Sequence, residues 1–320
     1  MRYSRLGSSG VPVSVLGLGG NTFGRSCDEA TTRAVVDQAL DLGVNFVDTA
    51  DSYTDGLSEK YLGRALSGRR DSVVLATKTG WPSGGGVEDA GLYRRRIFAQ
   101  LEASLRRLRT DYIDVFYLHL PDPHTQLEES LRAIDDLVTQ GKIRYGACSN
   151  YPAWQVAEMM CICKRHGYPP IVASQSPYSP VEREIDNEVI PACQHYGVAI
   201  VAYAPLASGF LTGKYRPGEP IPRDVRGYED EGWQQRRLTE RNFGILDVLE
   251  RFGREHGRDV SEVALAWVLA HPAVRSVLVG ATRPEQLISN AGAADWMLSQ
   301  ADYDLLGQEL DAVAVNPSRE

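Results

Sequence analysis

Eight short apolar runs, each followed by a stretch with helical periodicity, set the strongest limit on how this chain can fold. The runs are 15–19, 45–49, 72–78, 112–119, 143–149, 171–175, 199–204 and 276–280. Nearly continuous in apolar residues, they read as parallel strands buried on both faces. Helical patterns cover 31–42, 58–66, 92–108, 127–140, 154–166, 245–256 and 261–270. Gly43, Gly141, Gly167 and Gly197 each follow a helical pattern, where a left-handed residue is wanted. Thr125 and Glu128 have capping-box spacing ahead of one of them. Eight strands alternating with helices predict an α/β fold, a closed (β/α)8 TIM barrel. The first run leads into GLGGNTFG, which contains no G-x-G-x-x-G, so an open dinucleotide-binding sheet lacks its main support. Before the barrel, MRYSRLGSSGVPVSVLGLG reads as a β-hairpin around a Gly-Ser-Ser-Gly turn. The 320 residues suit one barrel domain spanning 1–320.

The connection 206–244 breaks the rhythm. It contains Gly209, Gly213, Pro217, Pro220, Pro222 and many charges. A connection that long is functional or mobile, and at the barrel mouth it would act as a lid.

Net charge is −8 with no basic stripe, which argues against nucleic acid as a partner. No run of 18 apolar residues is present, and the first residues lack a signal-peptide core. The expectation is a cytoplasmic protein that does not engage a membrane. Five cysteines without a CxxC pair read as reduced thiols.

Four ionisable residues fall at or just past strand ends: Asp48, Tyr53, Lys78 and His119. Lys78 follows Asp48 by 30 residues, and His119 follows Lys78 by 41. A barrel of about 250 residues repeats its strand-helix unit at roughly that interval, so the four converge on one face. Singly, each has a plainer role: a helix cap for Asp48, packing for Tyr53, solvation for Lys78, a satisfied core position for His119. Together they suit proton donation to a carbonyl oxygen. A lysine ammonium near a tyrosine hydroxyl lowers its pKa, a carboxylate orients the lysine, and a histidine orients a carbonyl. One His with one Asp is too few for a metal site.

These stretches carry a resemblance. GVNFVDTADSY, ATKTG, DYIDVFYLHLPDP, GKIRYGACSN, AYAPLASGFLTGKY and VLVGATRPEQLISN, in this order, resemble the aldo-keto reductases over nearly the whole chain. The resemblance implies an Asp–Tyr–Lys–His tetrad. Asp48 supports Lys78, Tyr53 donates the proton, and His119 orients the substrate carbonyl. Asp51 is the rival of Asp48, which stands the family's five residues before the tyrosine. It also implies a nicotinamide cofactor lying across the barrel mouth. Ser149, Asn150 and Gln175 would bind its carboxamide and Tyr203 would stack on its ring. Leu206, Ser208, Gly209 and Lys214 would line its pyrophosphate. Gly280, Thr282, Arg283, Gln286 and Asn290 would hold the adenosine end. There Thr282 and Glu285 have capping-box spacing with Pro284 in the first turn, and a helix N-terminus with Arg283 suits a 2′-phosphate. NADPH (NADP) is therefore favoured over NADH, although many family members have Arg in place of Gln286 and Lys in place of Gly280. Phe23, Trp81 and Tyr151 would form an apolar substrate pocket.

The long lid and HLPDP run look like the branch containing potassium-channel β-subunits and sugar-ketone reductases. The implied activity is reduction of a small-molecule aldehyde or ketone. Alternatives are a redox-sensing regulatory subunit with little turnover and a Schiff-base aldolase using Lys78.

Overall fold

The structure, a computed structural model, describes residues 1–86, 89–223 and 227–315. Two short strands, β1 (Tyr3–Arg5) and β2 (Pro12–Ser14), pair antiparallel with Tyr3 opposite Ser14. Eight parallel strands then close into a barrel. They are β3 (Leu16–Gly19), β4 (Phe46–Asp48), β5 (Val74–Thr79), β6 (Ile113–Leu118), β7 (Ile143–Ser149), β8 (Ala173–Pro177), β9 (Ala199–Tyr203) and β10 (Val274–Val279). Closure is made by β10, which pairs with β3 on one side and β9 on the other.

Helices α1 (Glu29–Asp41), α2 (Leu57–Ala65), α3 (Arg94–Leu108), α4 (Leu127–Thr139), α5 (Ala153–His166) and α6 (Val189–Tyr196) follow the first six barrel strands in turn. After β9 come α7 (Glu231–Arg237), α8 (Glu240–His256) and α9 (Val260–Ala270), and after β10 come α10 (Pro284–Asp295) and α11 (Gln300–Val315).

Two layers of apolar burial hold the fold. The larger lies between strands and helices and includes Val35, Leu62, Leu101, Leu131, Met159 and Leu265. The smaller fills the barrel itself with Phe46, Ala76, Val115, Tyr117, Ala147, Val201 and Leu278. Leu6 and Val13 of the hairpin join that inner layer and are fully buried. Each contributes about 2 kcal/mol by leaving water. The hairpin thus stops the lower end of the barrel. Its turn needs glycine at position 7: φ is +59°, and a Cβ there would lie 2.2 Å from the Val172 carbonyl oxygen.

Local capping departs from expectation at two places. The helix after Thr125 begins at Leu127 with Gln126 at the N-cap, and no side chain caps it. Thr125 lies one residue too early, and the Glu129 carboxylate instead accepts from Arg94 N–H at 2.9 Å. The helix after Thr282 has Arg283 at the N-cap. There Gln286, not Glu285, reaches back, its Oε1 accepting the Thr282 N–H at 2.8 Å. A complete capping box forms elsewhere, between Asp259 and Glu262 of α9. The four glycines expected after helices all have positive φ.

The connection after β9 is also more built than expected. A 3-10 turn spans Ala207–Thr212, and α7 follows downstream. Phe210, Tyr215 and Trp233 are buried, with the Tyr215 and Trp233 rings 4.9 Å apart. These aromatic anchors tie the segment to the barrel body. No helix of the described residues is long and apolar enough to cross a membrane.

Candidate active site

Parallel pairing puts the C-terminal ends of all eight barrel strands on one rim, and the tetrad residues gather there. Asp48 is the last residue of β4, Lys78 is the penultimate residue of β5, and His119 directly follows β6. Tyr53 opens a 3-10 turn (Tyr53–Gly56) before α2. Register aligns them: Asp48 is level with Ala76, and Lys78 with Tyr117.

The Lys78 ammonium is the hub. It donates to Asp48 Oδ1, to the Thr49 carbonyl at 2.8 Å and to the Tyr53 hydroxyl at 3.3 Å. Asp48 Oδ2 accepts from the Gln175 amide at 2.9 Å. The His119 ring stands edge-on to Tyr53, centroids 6.0 Å apart, and the Trp81 ring lies 5.0 Å from His119. Asp48 and Lys78 have almost no solvent contact.

Burial governs the electrostatics. For Lys78 it favours loss of the proton, but the facing Asp48 and Tyr53 more than offset this, and its pKa ends above the usual lysine value. Burial raises the Asp48 carboxyl against the pull of Lys78 and Gln175. It also raises Tyr53, and the nearby ammonium lowers it by less. The expected fall in the tyrosine pKa therefore does not occur, and Tyr53 keeps its proton. His119 is pushed down to about 3, first by burial and then by Lys78, so its imidazole is neutral. Its Nδ1 is buried and unbonded among the described residues, leaving Nε2 as the nitrogen open to the mouth.

The expected cofactor residues form an arc along the same rim. Asn150 adopts φ +64° and bridges two strands: its amide donates to the His119 carbonyl at 3.0 Å, and its Oδ1 accepts from the Tyr203 hydroxyl at 2.9 Å. Ser149, buried at the end of β7, accepts from Asn150 at 3.0 Å. Gln175, expected toward a carboxamide, has its amide on Asp48. Beyond Tyr203 the backbone enters the left-handed region at Ala204, Ala207, Ser208 and Gly209. Outside glycine such conformations store strain, and they cluster where a loop is held for binding. The Leu206 carbonyl accepts from Gly209 N–H at 2.9 Å, which tightens this turn. A Cβ on Gly209 would sit 3.6 Å from Lys214 Nζ, so the missing side chain leaves room beside an ammonium. Gly280 and Arg283 are exposed, Thr282 and Gln286 are half-buried, and Asn290 is buried. This string of backbone amides, one lysine and one helix N-terminus fits an extended anionic dinucleotide.

Of the three expected pocket residues, Trp81 is 43 % exposed and lies over His119. Phe23 is fully buried, and Tyr151 is buried with its hydroxyl on the Leu120 carbonyl at 3.0 Å. These two occupy packing positions.

The sequence reading passed over Glu59 and Arg107, which brace the tyrosine turn from behind. Fully buried Glu59 accepts from the Thr77 hydroxyl at 2.6 Å and from Arg107 Nε at 2.5 Å. Glu59 falls two residues into α2 and looks like an ordinary helix carboxylate, which hid it.

A closed parallel barrel whose rim joins a protonated tyrosine, a buried lysine–aspartate pair and a neutral histidine defines a barrel oxidoreductase. The chain belongs to the aldo/keto reductase family, whose sequence profile matches residues 15–310. It is 36 % identical to a probable voltage-gated potassium channel subunit beta of Oryza sativa subsp. japonica, over 92 % of each chain. It is 33 % identical to an L-glyceraldehyde 3-phosphate reductase of Escherichia coli (strain K12), over 97 % of this chain and 94 % of that one. An uncharacterized oxidoreductase of Bacillus subtilis (strain 168) is 34 % identical over 94 % and 93 %. Members of this family reduce small-molecule carbonyls with NAD(P)H, and carbonyl reduction is the general chemistry of this chain.

Proposed function

We propose that the protein is an NADPH-dependent reductase that converts an aldehyde or ketone to an alcohol with Tyr53 as proton donor. The observation that carries this reading is the Tyr53 hydroxyl, still protonated, 3.3 Å from the Lys78 ammonium. When bound, the reduced nicotinamide supplies hydride to the carbonyl carbon. His119 Nε2 orients the carbonyl oxygen. Tyr53 gives its proton to that oxygen as the C–O bond becomes an alcohol, and Lys78 stabilises the phenolate left behind. Asp48, held by Gln175, keeps Lys78 charged and aimed.

Asn150, Ser149 and Tyr203 would hold the nicotinamide end, Ser208, Gly209 and Lys214 the pyrophosphate, and Thr282, Arg283, Gln286 and Asn290 the adenosine. Arg283, exposed at the start of α10, supports NADPH over NADH. The similarity to the reductase of Escherichia coli supports a small, sugar-like carbonyl compound as substrate.

The test is oxidation of NADPH, then NADH, followed by absorbance against aldehydes and ketones, with wild type beside Tyr53→Phe. Loss of a positioned general acid lowers the rate by about 10²–10⁴. Dinucleotide binding, followed by fluorescence, should survive the substitution. A wild-type protein that binds NADPH and turns over no carbonyl would overturn the reading in favour of a redox-sensing subunit.

A further inference from the structure

The turn that carries Tyr53 is strained. Thr54, Asp55 and Gly56 follow the tyrosine with φ of +49°, +52° and +79°, left-handed residues in succession. Thr54 is β-branched, and such a residue stays in that region only where its surroundings hold it. Its hydroxyl donates to the Phe23 carbonyl at 3.1 Å, and Tyr53 N–H donates to the Ala50 carbonyl at 3.2 Å. At Gly56 the Arg107 side chain closes in: a Cβ there would lie 2.8 Å from Arg107 Cδ and Nε.

From Gly56 the chain enters α2, and Ser58 and Glu59 reach back to both strands on which Lys78 depends. The Ser58 hydroxyl donates to the Gly20 carbonyl at 2.8 Å. With its one proton so used, it accepts from the Thr49 hydroxyl at 2.8 Å. The carbonyl of that same Thr49 accepts from the Lys78 ammonium. Glu59 Oε1 accepts from the Thr77 hydroxyl at 2.6 Å, and Oε2 from Arg107 Nε at 2.5 Å. Arg107 also donates to the Ser104 hydroxyl at 3.1 Å. Thr77 precedes Lys78 on β5, and neighbouring residues of a strand point to opposite faces. Glu59 therefore grips, from the helix side, the strand that presents Lys78 to the mouth. Thr49, Ser58, Glu59 and Thr77 are all fully buried.

Stability alone does not call for such a set. Burying an ion pair forfeits most of its attraction to desolvation, and well-packed apolar side chains hold a helix as firmly. Hydrogen bonds to a carboxylate add what apolar contacts lack, a fixed direction and distance.

We infer that Glu59 is a positioning residue for the proton donor: its carboxylate ties the helix that follows the Tyr53 turn to the strand that carries Lys78, and so sets the separation of hydroxyl and ammonium. The catalytic meaning of this inference rests on the reductase reading; the separation itself does not. Arg107 locks the tie by holding the second carboxylate oxygen while its stem packs on Gly56.

The experiment compares wild type, Thr77→Val, Thr77→Ser and Glu59→Gln. Thr77→Val cuts the tie and keeps the Glu59–Arg107 pair, and Thr77→Ser restores the hydroxyl. Reduction of 4-nitrobenzaldehyde by NADPH gives kcat and KM, measured well below each variant's unfolding transition. Independently of turnover, the Tyr53 resonance of protein labelled with ¹³Cζ-tyrosine, assigned by its loss in Tyr53→Phe, reports the surroundings of the hydroxyl. In Thr77→Val, kcat should fall about five- to tenfold, the size of one lost hydrogen bond. KM and NADPH binding should stay, and the Tyr53 resonance should be displaced. Thr77→Ser should return both kcat and resonance to wild type. Glu59→Gln, with one acceptor oxygen for two donors, should lose at least as much kcat; if it does not fold, the two Thr77 variants decide alone. A wild-type kcat in Thr77→Val or Glu59→Gln, a fall that Thr77→Ser does not restore, or an unmoved Tyr53 resonance in Thr77→Val overturns the inference. If wild type reduces nothing, yet the Tyr53 resonance is displaced in Thr77→Val and restored in Thr77→Ser, the positioning role stands and the reductase reading falls.

Discussion

Replacing Lys78 by methionine would strand a carboxylate in the barrel. The two side chains of the pair are 0 % and 3 % exposed, so water cannot take the place of the ammonium. Asp48 would retain only the Gln175 amide at 2.9 Å, and the Thr49 carbonyl would lose its donor at 2.8 Å. Breaking a buried pair from one side costs about 3–5 kcal/mol. The orphaned carbonyl adds about 1 kcal/mol. Adding Asp48→Asn removes the stranded charge, and neutral replacement of a whole buried pair is often tolerated. The double variant should therefore regain at least about 2 kcal/mol over Lys78→Met while remaining catalytically dead. Urea unfolding midpoints at pH 7, with carbonyl reduction measured on the same samples, separate the two effects. The pH dependence has a definite sign. In Lys78→Met the folded-state pKa of Asp48 lies above its unfolded value, so the penalty is present at neutral pH and relieved on acidification. The gap to wild type should narrow between pH 7 and pH 5. A single-variant loss below about 1 kcal/mol, or simple additivity in the double variant, would refute the argument.

Other outcomes follow from the same geometry. Asp51 has a folded pKa of about 6 against an ordinary 3.8, so wild type should lose stability as pH rises from about 4 to 6. Asp51→Asn should be free of that loss and more stable at pH 7 by up to about 3 kcal/mol, with melting temperatures that converge below pH 4. Gly63→Ala places a Cβ 2.6 Å from the Leu108 carbonyl carbon, where α2 crosses α3, and should cost about 1–3 kcal/mol by thermal or urea unfolding.

The barrel was legible because parallel strands buried on both sides leave apolar runs that no surface element imitates. The sixth strand was placed two residues early, at 171–175 instead of Ala173–Pro177. Ile171 and Val172 are apolar and buried, but they precede the ladder. Capping was less legible. Thr125 and Thr282 have suitable spacing to an acid, yet each helix starts one residue later than that spacing needs, and backbone angles decide such matters. The tetrad could be read because strand ends in a parallel barrel share one rim. Phe23 and Tyr151 also follow strand ends, but sequence does not tell an apolar residue that faces the mouth from one that turns under a helix. Gln175 on Asp48, and Glu59 with Arg107, join residues far apart in sequence, and no local pattern announces them.

The stopped lower end of the barrel has a consequence for proton supply. Among the described residues, Leu6, Val13 and the apolar layer above them fill the lower end of the barrel, and Lys78 itself is fully buried. In the proposed reducing cycle Tyr53 would give up one proton per turnover. Its replacement would then come from the rim, where the proposed dinucleotide and substrate also bind. The two three-residue strands of the hairpin thus leave the rim as the side from which the proposed acid would be recharged.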